Sequence, residues 1–445
     1  MKFTDWLKPG IKVKRWVLFG MMGIIFIAFG LLEVAQHRFY NGYYKAFWIH
    51  LNLMGIFIIY IAITQGMKSI IGLINKGYLN VKLDSRKLES LMYEKRLLVK
   101  GPKLVVIGGG TGLSTMLRGL KYYTSNITAI VTVADDGGGS GDLREDLGIL
   151  PPGDIRNCIL ALADTEPIME DLLQYRFPDG RLKNQSFGNL FLAAMDGISN
   201  NFEEAVQKMS SVLAVTGRVM PVTLDNMVLK AKFKNGKIVE GESVIPEKAL
   251  EEKTAIDRIF IEPEDAKPLP DALKAIVEAD AIILGPGSLY TSVIPNLLVK
   301  DIAKAVKRSS ALKLYVSNIM TQPGETDGYD AGDHISAIYK HVHESFLDYI
   351  IVNAGKIDKQ LEEKYKTEGS QLVKIHDNKL KKLGVGVIEG DFVKVKKGFI
   401  RHDPEKLASI LIETIMEKKL SFDRKKIIEY FYLSERLKQN KKIRE

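Results

Sequence analysis

Residues Lys103–Ser114, Lys-Leu-Val-Val-Ile-Gly-Gly-Gly-Thr-Gly-Leu-Ser, read as a buried strand, a glycine turn and the opening of a helix. In that order, backbone N–H groups and a helix N-terminus can hold a phosphate. Gly108, Gly110 and Gly112 give G-x-G-x-G, with Leu113 where the dinucleotide fingerprint has its third glycine, so a strict NAD assignment is weakened. The G-x-x-x-x-G-K-[ST] pattern is absent, which removes the lysine that a P-loop ATPase places on the β/γ-phosphates.

Outward from this turn, short apolar runs alternate with helical spacing. Leu104–Ile107, Thr128–Ala134, Ala281–Leu284, Leu312–Ser317 and Tyr349–Asn353 read as fully buried strands, the mark of a mostly parallel sheet. Gly112–Tyr122, Ile155–Asp164, Asn201–Val212, Asp271–Ala279, Thr291–Arg308 and Asp333–His343 read as the intervening helices. The expected fold class is α/β, a Rossmann-like doubly wound sheet over residues 101–416. Residues 220–263 break the rhythm around Asn235-Gly236, a type I′ hairpin signal, and predict a small antiparallel insertion.

Upstream, Trp16–Ala35 and Ala46–Gly66 are each near the roughly 20 apolar residues that cross a bilayer as a helix. Tyr40, Tyr43, Tyr44 and Trp48 lie between or beside them, as expected at a headgroup boundary. Lys2, Lys8, Lys12, Lys14 and Arg15 precede the first span and Lys68, Lys76, Lys82, Arg86 and Lys87 follow the second, against only Arg38 and Lys45 in the loop. Residues 1–66 are therefore expected to be a two-helix transmembrane hairpin in the cell membrane, with both termini and the main domain cytoplasmic. A cleaved signal peptide fits less well, because the run is long, lacks a small-x-small site and is followed by a second span. A buried soluble hairpin would leave the flanking cations and aromatics without purpose. Glu33 and His50 sit near span ends and receive no function. Residues 67–100 read as a polar connector, with a charged helical pattern over Arg86–Leu98 suited to lying along the anionic inner leaflet. Residues 417–445 read as a basic amphipathic helical tail.

Charge agrees with this division. Residues 1–100 hold 15 basic and 5 acidic side chains, whereas residues 101–445 hold 48 and 49. The net charge of +9 thus belongs to the N-terminal segment, and a nucleic-acid partner is excluded for the core. Cys158 is the single cysteine, so no internal disulfide forms, and no zinc spacing surrounds it. His341 and His343, at i and i+2, face different sides of a helix, and no Ser/His/Asp triad can be assembled.

Further polar segments gather after the strands. Asp135 and Asp136 follow the second strand in a flexible glycine-rich loop, placed to read a ribose or to hold Mg²⁺ between phosphates; as turn formers they need no ligand. Pro151-Pro152-Gly153-Asp154 opens a helix with Asp154 as expected N-cap, its N-terminus open to an anion. Gly285-Pro286-Gly287-Ser288 forms another strand-to-helix glycine turn, and Asn318 begins a polar stretch after the next strand. Ligands of open α/β sheets bind at this carboxyl edge. Two glycine corners gripping one anion require that their strands be neighbours.

Seven ordered segments carry a resemblance. GGGTGLSTMLRGLK, VTVADDGGGSGDLRED, LPPGDIRN, SFGNLFLAAM, VTGRVMPVT, GPGSLYTSVIPNLLV and NIMTQPGETDGY closely resemble the CofD-like family, and within it the YvcK-type branch of gluconeogenesis factors, related to 2-phospho-L-lactate transferase. The resemblance implies that Gly109, Gly110, Thr111 and Gly112 cradle phosphate, and that Asp135 and Asp136 meet ribose or a metal. It further implies that Asn189, Arg218 and the turn Gly285, Pro286, Gly287 and Ser288 complete the pocket. The transferase branch moves a phospholactyl group onto a deazaflavin; the YvcK-type branch is associated with UDP-sugar binding and control of cell shape under gluconeogenic growth. The first expectation is a regulator that binds a UDP-sugar such as UDP-N-acetylglucosamine without turnover, since no nucleophile and base pair is evident. The second is a Mg²⁺-dependent transferase using Asp135 and Asp136, and the third, an NAD-dependent oxidoreductase, has only the bare glycine motif. A homodimer and an envelope-synthesis protein are the macromolecular partners expected beside the bilayer.

Overall fold

A computed structural model describes residues 14–35, 42–77, 98, 101–396, 398–422, 430–434 and 437. The chain forms two compact units, Met1–Arg96 and Leu97–Glu445.

In the first unit two apolar helices, α1 (Lys14–Ala35) and α2 (Gly42–Gly77), form a hairpin. They meet backbone to backbone: a Cβ on Gly23 would lie 2.8 Å from the Gly55 carbonyl oxygen, and one on Gly55 2.8 Å from that of Gly23. Outward-facing Leu18, Ile24, Phe29, Ile56 and Phe57 are exposed. Arg15–Glu33 and Ala46–Lys68 are each long and apolar enough to cross a membrane. The second helix runs through Gly77, past the predicted end at Gly66. Most of the predicted connector, the loop with Tyr40, and the N-terminal cations before Lys14 fall outside the described residues.

The second unit is built on a seven-stranded sheet of order β10-β9-β8-β7-β1-β2-β3. Its strands are β1 (Leu104–Gly108), β2 (Ile127–Val131), β3 (Arg218–Pro221), β7 (Ala281–Leu284), β8 (Leu312–Val316), β9 (Tyr349–Asn353) and β10 (Gly386–Gly390). All pairings are parallel. The central strands are largely apolar, and β1, β2 and β7 are buried along their whole length, as a sheet covered on both faces requires. Edge strands β3 and β10 lie outside the predicted set. β3 is four residues ending in Pro221, a residue that only an edge tolerates, and β10 is half-buried with glycine at both ends.

The insertion begins after β3: β4 (Val228–Phe233), β5 (Ile238–Glu240) and β6 (Ile256–Glu262) form an antiparallel sheet of order β5-β4-β6. Its hairpin is not type I′, since Gly236 has φ +89° while Asn235 is not in the left-handed region. The Gly236 N–H donates to the Phe233 carbonyl (2.9 Å) and the Asn235 side chain accepts from the Lys237 N–H (3.0 Å). A single left-handed glycine after an ordinary turn suffices.

Two helical expectations are corrected. Thr291–Arg308 is not one helix but a π-helical turn at Leu289–Val293, a helix at Ile294–Leu298 and another at Ile302–Arg308. Pro295 has no N–H to continue the ladder, and Asp301 takes φ +63°. The glycine-rich stretch after Asp136, predicted as a flexible loop, forms a helix, Gly138–Leu147. Finally, β11 (Val393–Lys396) and β12 (Phe399–His402) form a hairpin, followed by the helix Pro404–Lys418, which runs through residues 416 and 417.

That last helix lies against the helix Gly110–Leu120, where a Cβ on Gly119 would fall 1.9 Å from the Pro404 carbonyl oxygen. Gly119→Ala is expected to destabilise the domain by about 1–3 kcal/mol through overpacking. The matched control is Gly197→Ala, where a Cβ meets nothing within 4 Å. Thermal melts should show a lowered midpoint for the first and none for the second.

Candidate functional site

From β1 the chain proceeds through β2 to β3 on one side, and from β7 through β8 to β10 on the other. β1 and β7 are hydrogen-bonded neighbours with Ile107 opposite Leu284, so the two glycine corners stand side by side at the sheet's topological switch point. Ligands of open α/β sheets bind there. The corners interlock: a Cβ on Gly112 would lie 2.7 Å from the Pro286 carbonyl oxygen, and one on Gly287 2.9 Å from that of Gly109. Buried Asn296 ties them, its Nδ2 donating to the carbonyls of Gly108 (3.2 Å) and Ser292 (2.8 Å).

A cavity of about 330 Å³ opens over this junction. Gly110, Thr111 and Gly112 form one wall, Pro286, Gly287 and Ser288 another, and the loop from Asn318 to Pro323 a third. Asn318 Oδ1 accepts from the Gly287 N–H (3.3 Å), the Ser288 hydroxyl donates to Gln322 Oε1 (2.7 Å), and Gln322 Nε2 donates to Glu325 Oε1 (2.5 Å). Glu325 also accepts from the Tyr290 N–H (3.2 Å), and burial pushes its carboxyl up to about 7. Gly109 caps the helix Gly110–Leu120 without a side chain, leaving the first-turn amides of Thr111 and Gly112 without an intrahelical acceptor.

The fourth wall escaped the sequence reading. Tyr365, Ser370, Ile400, Arg401 and His402 line the cavity from the C-terminal segment. Arg401 brings a cation to this wall, its guanidinium 5.3 Å from the Phe399 ring centroid and donating to the Ile400 carbonyl (3.0 Å). His402 is buried and stacked on Phe392, and burial pulls its pKa down to about 4. The one local signal was Gly398 in a basic, alternating stretch, which indicates a hairpin and not a pocket.

The carboxylates stand on the other side of the first corner. Asp154 is not an N-cap; Pro152 occupies that position in the helix Gly153–Leu162. Asp154 instead accepts the Gly110 N–H at 2.7 Å. Burial, with Asp135 adding repulsion, raises its carboxyl to about 6. Asp135 accepts from the Gly137 N–H (3.0 Å), and burial raises its pKa too. A Cβ on Gly153 would come within 3.0 Å of Asp135 Oδ2, so this glycine admits the carboxylate. Glu242, from the insertion, joins this side; burial, with Asp135, Glu325 and Asp154 adding repulsion, lifts it to about 8.

Asp136 turns away. Its Oδ2 accepts from the Glu242 N–H and its Oδ1 from the Ser243 N–H, both 2.9 Å, so it fastens the insertion to the β2 loop. Each Asp136 oxygen thus accepts one backbone N–H, whereas Asp135 accepts its backbone N–H at Oδ1. Among the described residues no group of three His, Cys, Asp or Glu is arranged to hold a metal ion. Asn189 is buried in the first turn of the helix Phe187–Gly197, and its Oδ1 has no partner among the described residues; it does not line the cavity. Arg218 starts β3 opposite Thr128, at the amino edge of the sheet, where it contacts Thr128 Oγ1 (3.3 Å) and Asp271 (3.6 Å). The structure does not bring Arg218 to the pocket.

Comparison with known proteins agrees with this architecture. The family model described as 2-phospho-L-lactate transferase CofD matches residues 104–393. A Clostridium acetobutylicum protein named "Putative gluconeogenesis factor" is 71% identical over 444 residues, covering 100% of this chain and 98% of that protein. A Bacillus subtilis protein named "Gluconeogenesis factor" is 49% identical over 317 residues, covering 71% of this chain and 99% of its own. The first match takes in the whole chain, the N-terminal unit included, whereas the second covers 71% of it. A crystal structure of a Bacillus halodurans protein superposes with a TM-score of 0.68 at 48% identity, covering 70% of this chain and 99% of that one. By matched segments, extent and fold, the chain belongs to the CofD-like family, in the branch that includes the gluconeogenesis factors.

Proposed function

We propose that the chain is a nucleotide-sugar-binding regulator that takes a UDP-sugar such as UDP-N-acetylglucosamine and acts in cell-shape and envelope homeostasis under gluconeogenic growth. The observation that carries this reading is the convergence of two amide corners and Arg401 on one cavity. Amides and a guanidinium suit a diphosphate, and Ile319, Met320, Tyr365 and Ile400 supply apolar wall for a base or sugar. The YvcK-type resemblance supports the UDP-sugar class, and the names of the relatives support the metabolic role. Binding without turnover is favoured by two of the cavity's three serines: Ser288 donates to Gln322, and Ser370 to the Thr321 carbonyl. Neither is paired with a base.

The apolar hairpin is read as a multi-pass anchor that keeps both termini and the main domain in the cytoplasm, beside an envelope-synthesis partner. The full chain should then remain with the membrane fraction after an alkaline carbonate wash; release would sink the anchor.

A second reading, a Mg²⁺-dependent transferase of the 2-phospho-L-lactate type, is favoured by the family match and by the raised carboxyls of Asp154 and Glu242. Asp135, the member of the adjacent pair that faces this side, would then hold the ion, which would stabilise a leaving phosphate.

Titration calorimetry with UDP-N-acetylglucosamine tests the first reading directly. Binding is expected, and Arg401→Ala should weaken it roughly 10- to 100-fold, the worth of a hydrogen bond to a charged group. Absence of heat with the folded wild-type chain would refute the ligand class.

The pH dependence separates the two readings. Asp154 has a folded pKa of about 6, above the ordinary value near ~3.9. The folded protein therefore holds more protons than the unfolded one between those values, and stability falls as pH rises through that window, then levels. Asp154→Asn keeps an acceptor for Gly110 and should abolish this part of the decline in denaturant melts. A phosphate beside Gly110 raises the Asp154 pKa further, so UDP-sugar binding should take up a proton and weaken as pH rises above about 6. Proton release on adding ligand with Mg²⁺ would favour the metal-dependent reading.

A further inference from the structure

Helices of this fold deliver their C-termini to the amino edge of the sheet, opposite the cavity. At the β8, β9 and β10 end of that edge six cations collect: Arg308, Lys313, Lys381, Lys382, Lys418 and Lys419. Lys313, Lys418 and Lys419 line an open depression of about 690 Å³ in which Asp348 is the one acid. Ser310 joins it to a second depression, of about 660 Å³, that reaches Arg308. The Lys419 ammonium donates to the Ser310 carbonyl (2.6 Å) and Lys418 lies 5.7 Å over the Tyr349 ring.

Neighbouring Lys304, Lys307 and Lys379 each meet a carboxylate. Among the described residues, none of the six is in an ion pair. Helix macrodipoles favour a cation in a last turn, which accounts for Arg308 or Lys418 singly. They do not account for Lys313, which stands in a strand, or for the gathering of all six on one face.

The chain itself indicates what this face meets. Residues 78–103 join the apolar hairpin to β1, and 26 residues reach at most about 90 Å when fully extended. β1 begins on the same amino edge, four strands from β10, which is about 20 Å at the usual strand spacing. A soluble polyanion has no such tether, whereas an anionic leaflet is held within reach at high effective concentration. A domain docked by this edge leaves the ligand cavity, at the opposite edge, open to the cytoplasm.

We propose that the amino edge of the sheet, through Arg308, Lys313, Lys381, Lys382, Lys418 and Lys419, docks on the anionic phospholipid face of the bilayer that holds the hairpin. This rests on the membrane reading above.

The test uses the full chain in vesicles of phosphatidylcholine with or without phosphatidylglycerol. A maleimide donor is placed at Ser310→Cys beside the cations or at Gln371→Cys on the carboxyl side, with a headgroup acceptor in the lipid. Cys158 is buried and escapes the label. In anionic vesicles at low salt, transfer from position 310 should exceed that from 371 by about twofold or more, and high salt should collapse the excess. Lys313→Gln/Lys418→Gln/Lys419→Gln should do the same; if that variant fails to fold, the lipid and salt comparisons decide alone. Equal transfer from the two positions, or an undiminished excess in neutral vesicles, overturns the docking while the membrane reading stands. Protein washed off the vesicles by carbonate overturns both.

Discussion

The site depends on backbone meeting backbone between two adjacent parallel strands. At the β1 and β7 corners, Gly112 approaches Pro286 and Gly287 approaches Gly109 so closely that no side chain fits at either glycine. That approach lets two sets of amides face one cavity, because strands about 5 Å apart would otherwise splay their helices. Asn296 and Asn318 then fix the corners with side-chain hydrogen bonds. A cavity wall made of main chain has no rotamer to turn, so its geometry is as rigid as the sheet beneath it.

Electrostatics divides the neighbourhood into two sides that share Gly110. On the cavity side stand amide dipoles and Arg401. On the other side Asp135, Asp154 and Glu242 crowd together with raised pKa values, chiefly because burial penalises their charge. Asp154 takes the Gly110 N–H, the position in which an N–H would otherwise point at an anion. Carboxylates so placed couple any bound anion to a proton or to a cation, whichever neutralises them more cheaply. Asp136 is outside this coupling: its two backbone contacts with Glu242 and Ser243 bring Glu242 to the site by holding down the insertion.

What was legible in the sequence is what local pattern determines. Continuous apolar runs located the central strands, since a strand covered on both faces must be apolar throughout, and the glycine turns after β1 and β7 located the switch point. Local pattern misjudged positions settled by distant neighbours. Gly138–Leu147 is poor in helix formers but is held by the β2 loop and by the Gln185–Asp142 hydrogen bond (3.0 Å). Asp154 has the sequence context of a cap, yet a glycine turn 44 residues upstream takes its carboxylate. Arg218 sits in a matching family segment, but its strand runs parallel to β2 and starts at the opposite edge.

The fourth wall of the cavity shows how far the site reaches along the chain. The family match ends at residue 393, whereas Ile400, Arg401 and His402 line the pocket. They are held there because β12 leads into the helix Pro404–Lys418, which lies against the back of the helix Gly110–Leu120 at Gly119. The same helix thus borders the cavity at its N-terminus and meets the C-terminal segment along its flank. The amide corners and most of the cavity's lining, from Asn318 to Pro323 and at Tyr365 and Ser370, lie within the family-matched segment, while Ile400, Arg401 and His402 come from outside it. The part of the wall that carries Arg401 is therefore built separately from the backbone that forms the two amide corners.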